Sequence, residues 1–251
     1  LEEEQLVYWV TASKTIQEAM ELQHYIIEKT PDHLIETTQD FWHAWVNKLD
    51  FTFYGLDPSV VDLFKKSLLI IRTHVDNHGG VIASGDSDML QYGRDTYAYV
   101  WMRDSSFIIL ALDKAGYGDV TRRFFEFANE VLAEGGYFYH KYRPDRALGT
   151  SWHPWIREGK KQLAIQEDET ALVLYALWEH YKIRRDLEFI EGIYNSLIKK
   201  AAEFLLEYRD PKTELPLESY DLWEEKYGTA TFTASAVYSG LTAASNFARL
   251  L

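Results

Sequence analysis

The sequence has no cysteine. Disulfides and thiolate metal sites are therefore excluded, and the redox compartment is left open. Cations are scarce too: 26 lysines and arginines stand against 39 aspartates and glutamates, a net charge of −13. A nucleic-acid partner needs a basic face, so it is excluded, and a neutral ligand is favoured. No apolar run approaches the ~20 residues that cross a bilayer, so no membrane partner is expected. The opening Leu1-Glu2-Glu3-Glu4 is acidic and does not read as a secretory leader, which makes the cytoplasm the preferred location. What the chain does have is apolar and aromatic residues. Hydrophobic residues at 47% are enough for a large core. Eight tryptophans and seventeen tyrosines suit helical cores and sugar-binding clefts alike.

Residues 5–10 read as a short strand with no partner nearby. Ser13 or Thr15 can cap a helix through about Glu28, and Thr30-Pro31 starts a second, with Thr30 as its cap. Asp57-Pro58 opens a helix to about Val75. Further helices are expected over roughly 104–114, 119–133, 168–183 and 186–208, and from about Thr233 to Leu251. The turns at Gly116-Tyr117-Gly118 and Arg184-Arg185 are tight, which makes antiparallel helical hairpins. The connections over roughly 79–103, 134–167 and 209–232 are long, and loops of that length in a compact domain are usually functional. Up-down helices place all three at one end. The pattern predicts an all-α toroid of helical hairpins roofed by these loops. Six helices are half of a closed ring, so the chain is expected to be part of a longer one. A half-ring exposes apolar helix faces, which makes an oligomer possible.

Each long loop holds aromatics and carboxylates. The first carries Tyr97, Tyr99, Trp101, Arg103 and Asp104. Arg103 beside Asp104 is either a helix cap with a surface cation or a donor–acceptor pair for vicinal hydroxyls. The second carries Trp152, His153 and Trp155, then Gln166-Glu167-Asp168-Glu169. His153 lacks a partner histidine at helical spacing, so stacking by a tryptophan is preferred to a metal site. Asp168 opens a helix, where the dipole favours a carboxylate, and capping is the simpler reading of it. The third carries Tyr220-Asp221-Leu222-Trp223-Glu224-Glu225. A carboxyl beside an indole suits protonation of a sugar oxygen, whereas the bland reading is a solvated acidic loop with Trp223 plugged into the core. Three such loops at one end favour glycoside hydrolysis by paired carboxylates, with Glu224 or Glu225 as the acid.

The segments YAYVWMRDSSF (97–107), QEDETALVLYALW (166–178) and YDLWEEKYGTATFT (220–233) resemble glycoside hydrolase family 15. That family holds glucoamylases, glucodextranases and the trehalases of archaea and actinobacteria, and the resemblance runs from about residue 58 to the end. It implies an (α/α)6 toroid, of which the N-terminal half would be residues 56–251, and hydrolysis of α-glucosidic bonds with inversion. Residues 1–10 would be the last strand of a β-sandwich domain and 11–55 a helical linker. Glu224 would match the general acid and Glu225 a contact in the next subsite. Arg103 and Asp104 would grip the non-reducing glucose, and Tyr97 and Trp101 would wall its pocket beside Leu222 and Trp223. Trp155 is a stacking candidate, and Gln166 and Asp168 match the family's motif at the mouth of a helix. The family's general base is a glutamate in the C-terminal half, outside this chain. The expected partner is an α-linked glucose oligosaccharide or polysaccharide, with no metal and no cofactor. The alternatives are a trehalase of the same fold and a non-catalytic carbohydrate-binding or scaffold protein.

Overall fold

The computed structural model describes residues 6–48, 51–85, 97–150 and 155–251. Contacts divide the chain into two compact units, after Leu69. In the first, α1 spans Ile16–Lys29 and α2 Pro31–Val46. Thr15 caps α1 as expected, its Oγ1 accepting from the Glu18 N–H at 3.2 Å. Thr30 does not cap α2 through its side chain. Its φ of 65° turns the chain between the helices, and a capping residue needs an extended backbone. Residues 6–10 form no strand, since they find no ladder partner; residue 5 lies outside the described residues. No residue of α1 is buried, and Val46 alone is buried in α2. Helix α3, Pro58–Thr73, starts on Asp57, whose Oδ1 accepts from the Ser59 N–H at 2.8 Å and the Ser59 hydroxyl at 2.6 Å.

The second unit is built of helical hairpins. Helix α4 is Met102–Lys114, α5 Gly118–Val131 and α6 Glu167–Arg184. Helix α7, Leu187–Ile193, continues through a π-helical turn at Tyr194–Lys199 into α8, Lys200–Glu207. The single helix expected there is thus interrupted. The wider turn takes up an extra residue and presents Ser196 to Asn129 of α5 at 2.6 Å. Helix α9 is Thr231–Leu250.

Helix α6 is the axis of this unit. It packs chiefly against α4 and α9, and most of its residues from Glu167 to Tyr181 are buried, its acidic first turn included. At Gly240 the α9 backbone lies so close that a Cβ would sit 2.6 Å from the Ala171 carbonyl oxygen. Further along, Phe247 meets Trp178 edge-on at 5.0 Å. A buried polar clip joins three helices: Asp113 of α4 accepts from the Thr121 hydroxyl of α5 at 2.6 Å and pairs with His180 Nδ1 of α6 at 2.9 Å.

The loops between hairpins come together. Val100 and Tyr142 exchange backbone hydrogen bonds at 2.7 and 2.9 Å, which ties the first long loop to the second. The second loop holds a small hairpin, β1 (Ile156–Arg157) with β2 (Lys160–Lys161), and the third holds β3 (Ser219–Tyr220) with β4 (Tyr227–Gly228).

Candidate active site

The β3–β4 hairpin carries Glu224 at its tip. Asp221 shapes that tip: its carbonyl accepts from the Glu224 N–H at 2.9 Å, and its Oδ1 accepts from the Glu225 N–H at 2.9 Å and the Lys226 N–H at 3.3 Å. The turn sets Glu224 at φ 58°, a left-handed backbone that costs a non-glycine residue on the order of 1 kcal/mol or more. The carboxylate in the loop that precedes the acid pair is therefore used up in holding the backbone.

Glu224 faces a cavity of about 430 Å³, lined by Tyr97, Trp101, Arg103 and Asp104 from one segment, by Leu222, Trp223 and Glu224 from the other, and by Ala83. Seven residues singled out from sequence thus share one cavity. Trp101 is nearly buried and its ring lies 5.9 Å from that of Tyr97, which is half-exposed. Trp223 is 75% exposed, so the reading that put it in the core is wrong; the hairpin tip holds it away from the helices. A larger cavity of about 550 Å³ is lined by Arg157, Tyr208, Asp210 and Tyr227 among others, but it gathers neither Glu224 nor Arg103.

Behind the cavity wall lies a closed polar network. Arg103 Nη1 donates to Gln166 Oε1 and to Asp168 Oδ2, both at 2.9 Å, with Glu169 at 3.7 Å. Asp104 is 3.7 Å from Arg103 Nε and half-exposed. Gln166 also donates through Nε2 to the carbonyls of Tyr220 and Asp221, and so ties the arginine to the hairpin that bears Glu224. Burial opposes the Arg103 charge, but Glu169 and Asp168 outweigh it and hold the guanidinium above its ordinary value. Burial pushes Asp168 and Glu169 upward, Glu169 furthest. The closest ion pair is therefore Arg103–Asp168, and Glu169, farther from the guanidinium, accepts from the Met102 N–H at 3.3 Å.

Gln166 and Asp168 lie beneath the cavity wall and position Arg103. Asp168 is an ion-pair partner buried in the network, more than a helix cap. Trp155 packs its ring against His140 at 5.6 Å and Tyr220 at 5.5 Å, outside the cavity lining. Glu225 is exposed on the hairpin. Trp152 and His153 lie outside the described residues, and among the described residues no cluster of His, Asp and Glu has the geometry to hold a metal ion.

Sequence reasoning missed His140. It is 3% exposed, and its Nε2 lies 2.8 Å from Glu224 Oε1 and 3.4 Å from the Trp101 Nε1–H. Its signal was faint: a histidine within the run Tyr137-Phe138-Tyr139-His140-Lys141-Tyr142, with no spacing to link it to residue 224.

Comparison with known proteins agrees with this geometry. The model of the glycosyl hydrolases family 15 matches residues 62–251. An uncharacterized glycosyl hydrolase of Methanocaldococcus jannaschii is 27% identical over 222 residues, covering 87% of this chain and 32% of the relative. Trehalase 2 of Sulfolobus acidocaldarius is 28% identical over 202 residues, covering 72% of this chain and 34% of the relative. The chain thus spans about a third of the length of these two proteins. Among solved structures, a bacterial glucoamylase complexed with acarbose superposes with a TM-score of 0.65 at 20% identity, covering 94% of this chain and 35% of that one. The glucoamylase from Saccharomycopsis fibuligera gives 0.57 at 20% identity, covering 80% and 47%. These likenesses identify the fold as the (α/α)6 toroid class, and the family match over most of its length shows that the chain belongs to glycosyl hydrolase family 15.

Proposed function

We propose that this chain supplies the sugar-gripping pair and the general acid of an exo-acting, inverting α-glucoside hydrolase. The observation that carries the reading is the convergence of Arg103, Asp104, Trp101 and Glu224 on one cavity. Arg103 and Asp104 offer donors and acceptors to vicinal hydroxyls, and Tyr97 and Trp101 offer an apolar wall. Glu224 then protonates the leaving glycosidic oxygen. Inversion needs a second carboxylate about 6.5–9.5 Å away to activate water on the opposite face of the sugar. In the family that this chain resembles, that glutamate belongs to the C-terminal half of the toroid. Glu224→Gln in the complete protein is expected to lower kcat by about 10²-fold or more. An unchanged rate would discard Glu224 as the acid.

A trehalase is the second reading, favoured by the likeness to Trehalase 2. The residues gathered here hold one glucose and do not select the leaving group. NMR of a hydrolysis panel (maltose, isomaltose, maltoheptaose and trehalose), with the anomer of released glucose resolved, separates the two. Release of β-glucose from the maltose or isomaltose series supports the glucoamylase-like reading, and cleavage of trehalose alone supports the other. No turnover of any of them by the complete, folded protein would sink both.

A further inference from the structure

We propose that His140 is a positioning residue for Glu224: the 2.8 Å hydrogen bond between its Nε2 and Oε1 holds the carboxyl group in the orientation from which it serves the leaving oxygen. This rests on Glu224 being the general acid. The warrant is geometric. Glu224 Oε1 is 2.8 Å from His140 Nε2, a short hydrogen bond between a loop side chain and the hairpin tip. The indole N–H of Trp101 lies 3.4 Å from the same nitrogen.

The surroundings fix the ring. His140 is buried, with Trp155 packed against one side at 5.6 Å and Trp101 edge-on at 6.2 Å. Charged and titratable groups stand on the neighbouring elements among the described residues. Lys141 lies with its ammonium 5.4 Å from the Trp101 ring centroid. Tyr97, Arg103 and Asp104 line the cavity. On the hairpin, Asp221 is bonded to the backbone and Glu225 is exposed. His140 bonds the Glu224 carboxyl at its Oε1.

In turnover, the carboxylic acid form of Glu224 meets the glycosidic oxygen. Its proton passes to that oxygen as the anomeric C–O bond breaks, with the bonding pair leaving on the oxygen. Glu224 becomes a carboxylate and regains a proton from solvent before the next cycle. Without the bond to His140 the carboxyl group is free to turn away from that oxygen, and the proton transfer is what suffers.

The test uses the complete protein with His140→Ala and His140→Gln, beside Glu224→Gln. Two substrates are compared: the sugar substrate that the panel identifies, and α-glucosyl fluoride, whose leaving group needs no proton. His140→Ala is expected to lose about 10²-fold in kcat on the sugar with KM nearly unchanged, and only a few-fold on the fluoride. His140→Gln, whose amide can still bond the carboxyl group, recovers part of the loss on the sugar. Equal losses on the two substrates, or a loss carried by KM instead of kcat, would overturn the proposal. Glu224→Gln keeps the two readings apart. If it retains the sugar rate, the assignment of the acid fails; if it is inactive on the sugar while His140→Ala is unaffected, the role of His140 alone fails.

Discussion

The two walls of the cavity are built on different principles. On the helix wall, Arg103 sits at the first turn of α4 and is locked from behind by Gln166, Asp168 and Glu169 of the α6 entrance. On the hairpin wall, Leu222, Trp223 and Glu224 ride on two strands of two residues each, and a few side-chain bonds from Asp221, Gln166 and His140 hold them. On the proposed function, the binding group is thus part of the core, whereas the reacting group is on a loop that the core merely anchors. Such a division lets a site hold a sugar rigidly while its acid keeps some freedom to adjust. It also predicts that lesions in the first wall register as lost stability and lesions in the second as lost turnover.

The largest effect on stability is expected at Arg103. Replacing it by alanine strands buried carboxylates without their cation and should cost about 3–5 kcal/mol of unfolding free energy in the complete protein. Denaturant melts check this. A loss below about 1 kcal/mol would mean that the network relaxes to admit water and that the helix wall is not rigid. The comparison would then fail on its firmer side.

Glu167 sharpens the contrast within a single turn of helix. Asp168 and Glu169 share the arginine, but Glu167 is buried with no cation at ion-pair distance among the described residues. Burial pushes its carboxyl up to about 7, against which Ser219 gives some relief. The folded state therefore holds this proton more tightly than the unfolded chain, where a glutamate titrates near ~4.3. Its contribution is fully present below the unfolded value and is lost as pH rises through about 7. Glu167→Gln should leave stability unchanged at acid pH and raise it by up to ~3 kcal/mol at alkaline pH. An equal change in acid and in alkali would show that the side chain acts through packing and not through charge.

Much of this was legible in the sequence, and the reasons are local. Helix starts and stops were marked by Thr15, Pro31, Pro58, Gly116 and Arg184-Arg185, and these fell within a few residues of the observed bounds. Seven of the cavity residues were legible because they fall in two short segments, each with its own motif. What was not legible depends on contacts across the chain. Gln166 and Asp168 were recognisable as a motif, but that they face Arg103 instead of the cavity follows from the packing of α4 on α6. His140 lies 84 residues from its partner Glu224, and no pattern within either loop encodes that pairing. The π-helical turn at Tyr194–Lys199 leaves an apolar helix pattern readable, which hides it.

The smallest effect expected is at Trp223, and it probes the hairpin wall most cleanly. The ring is 75% exposed, so its removal takes little from the core, and Trp223→Ala should change stability by no more than about 0.5 kcal/mol. It lines the cavity beside Glu224, where an indole can pack on a pyranose. Loss of that contact is worth about 1 kcal/mol, which is roughly a fivefold rise in KM. Because the acid itself is untouched, kcat should stay near the parent value. Steady-state kinetics beside a denaturant melt reads both quantities. A fall in kcat at constant KM would show that Trp223 braces the turn at Glu224 instead of binding sugar, and a large loss of stability would place the hairpin tip in the core after all. Either result would erase the distinction between a wall that holds and a wall that reacts.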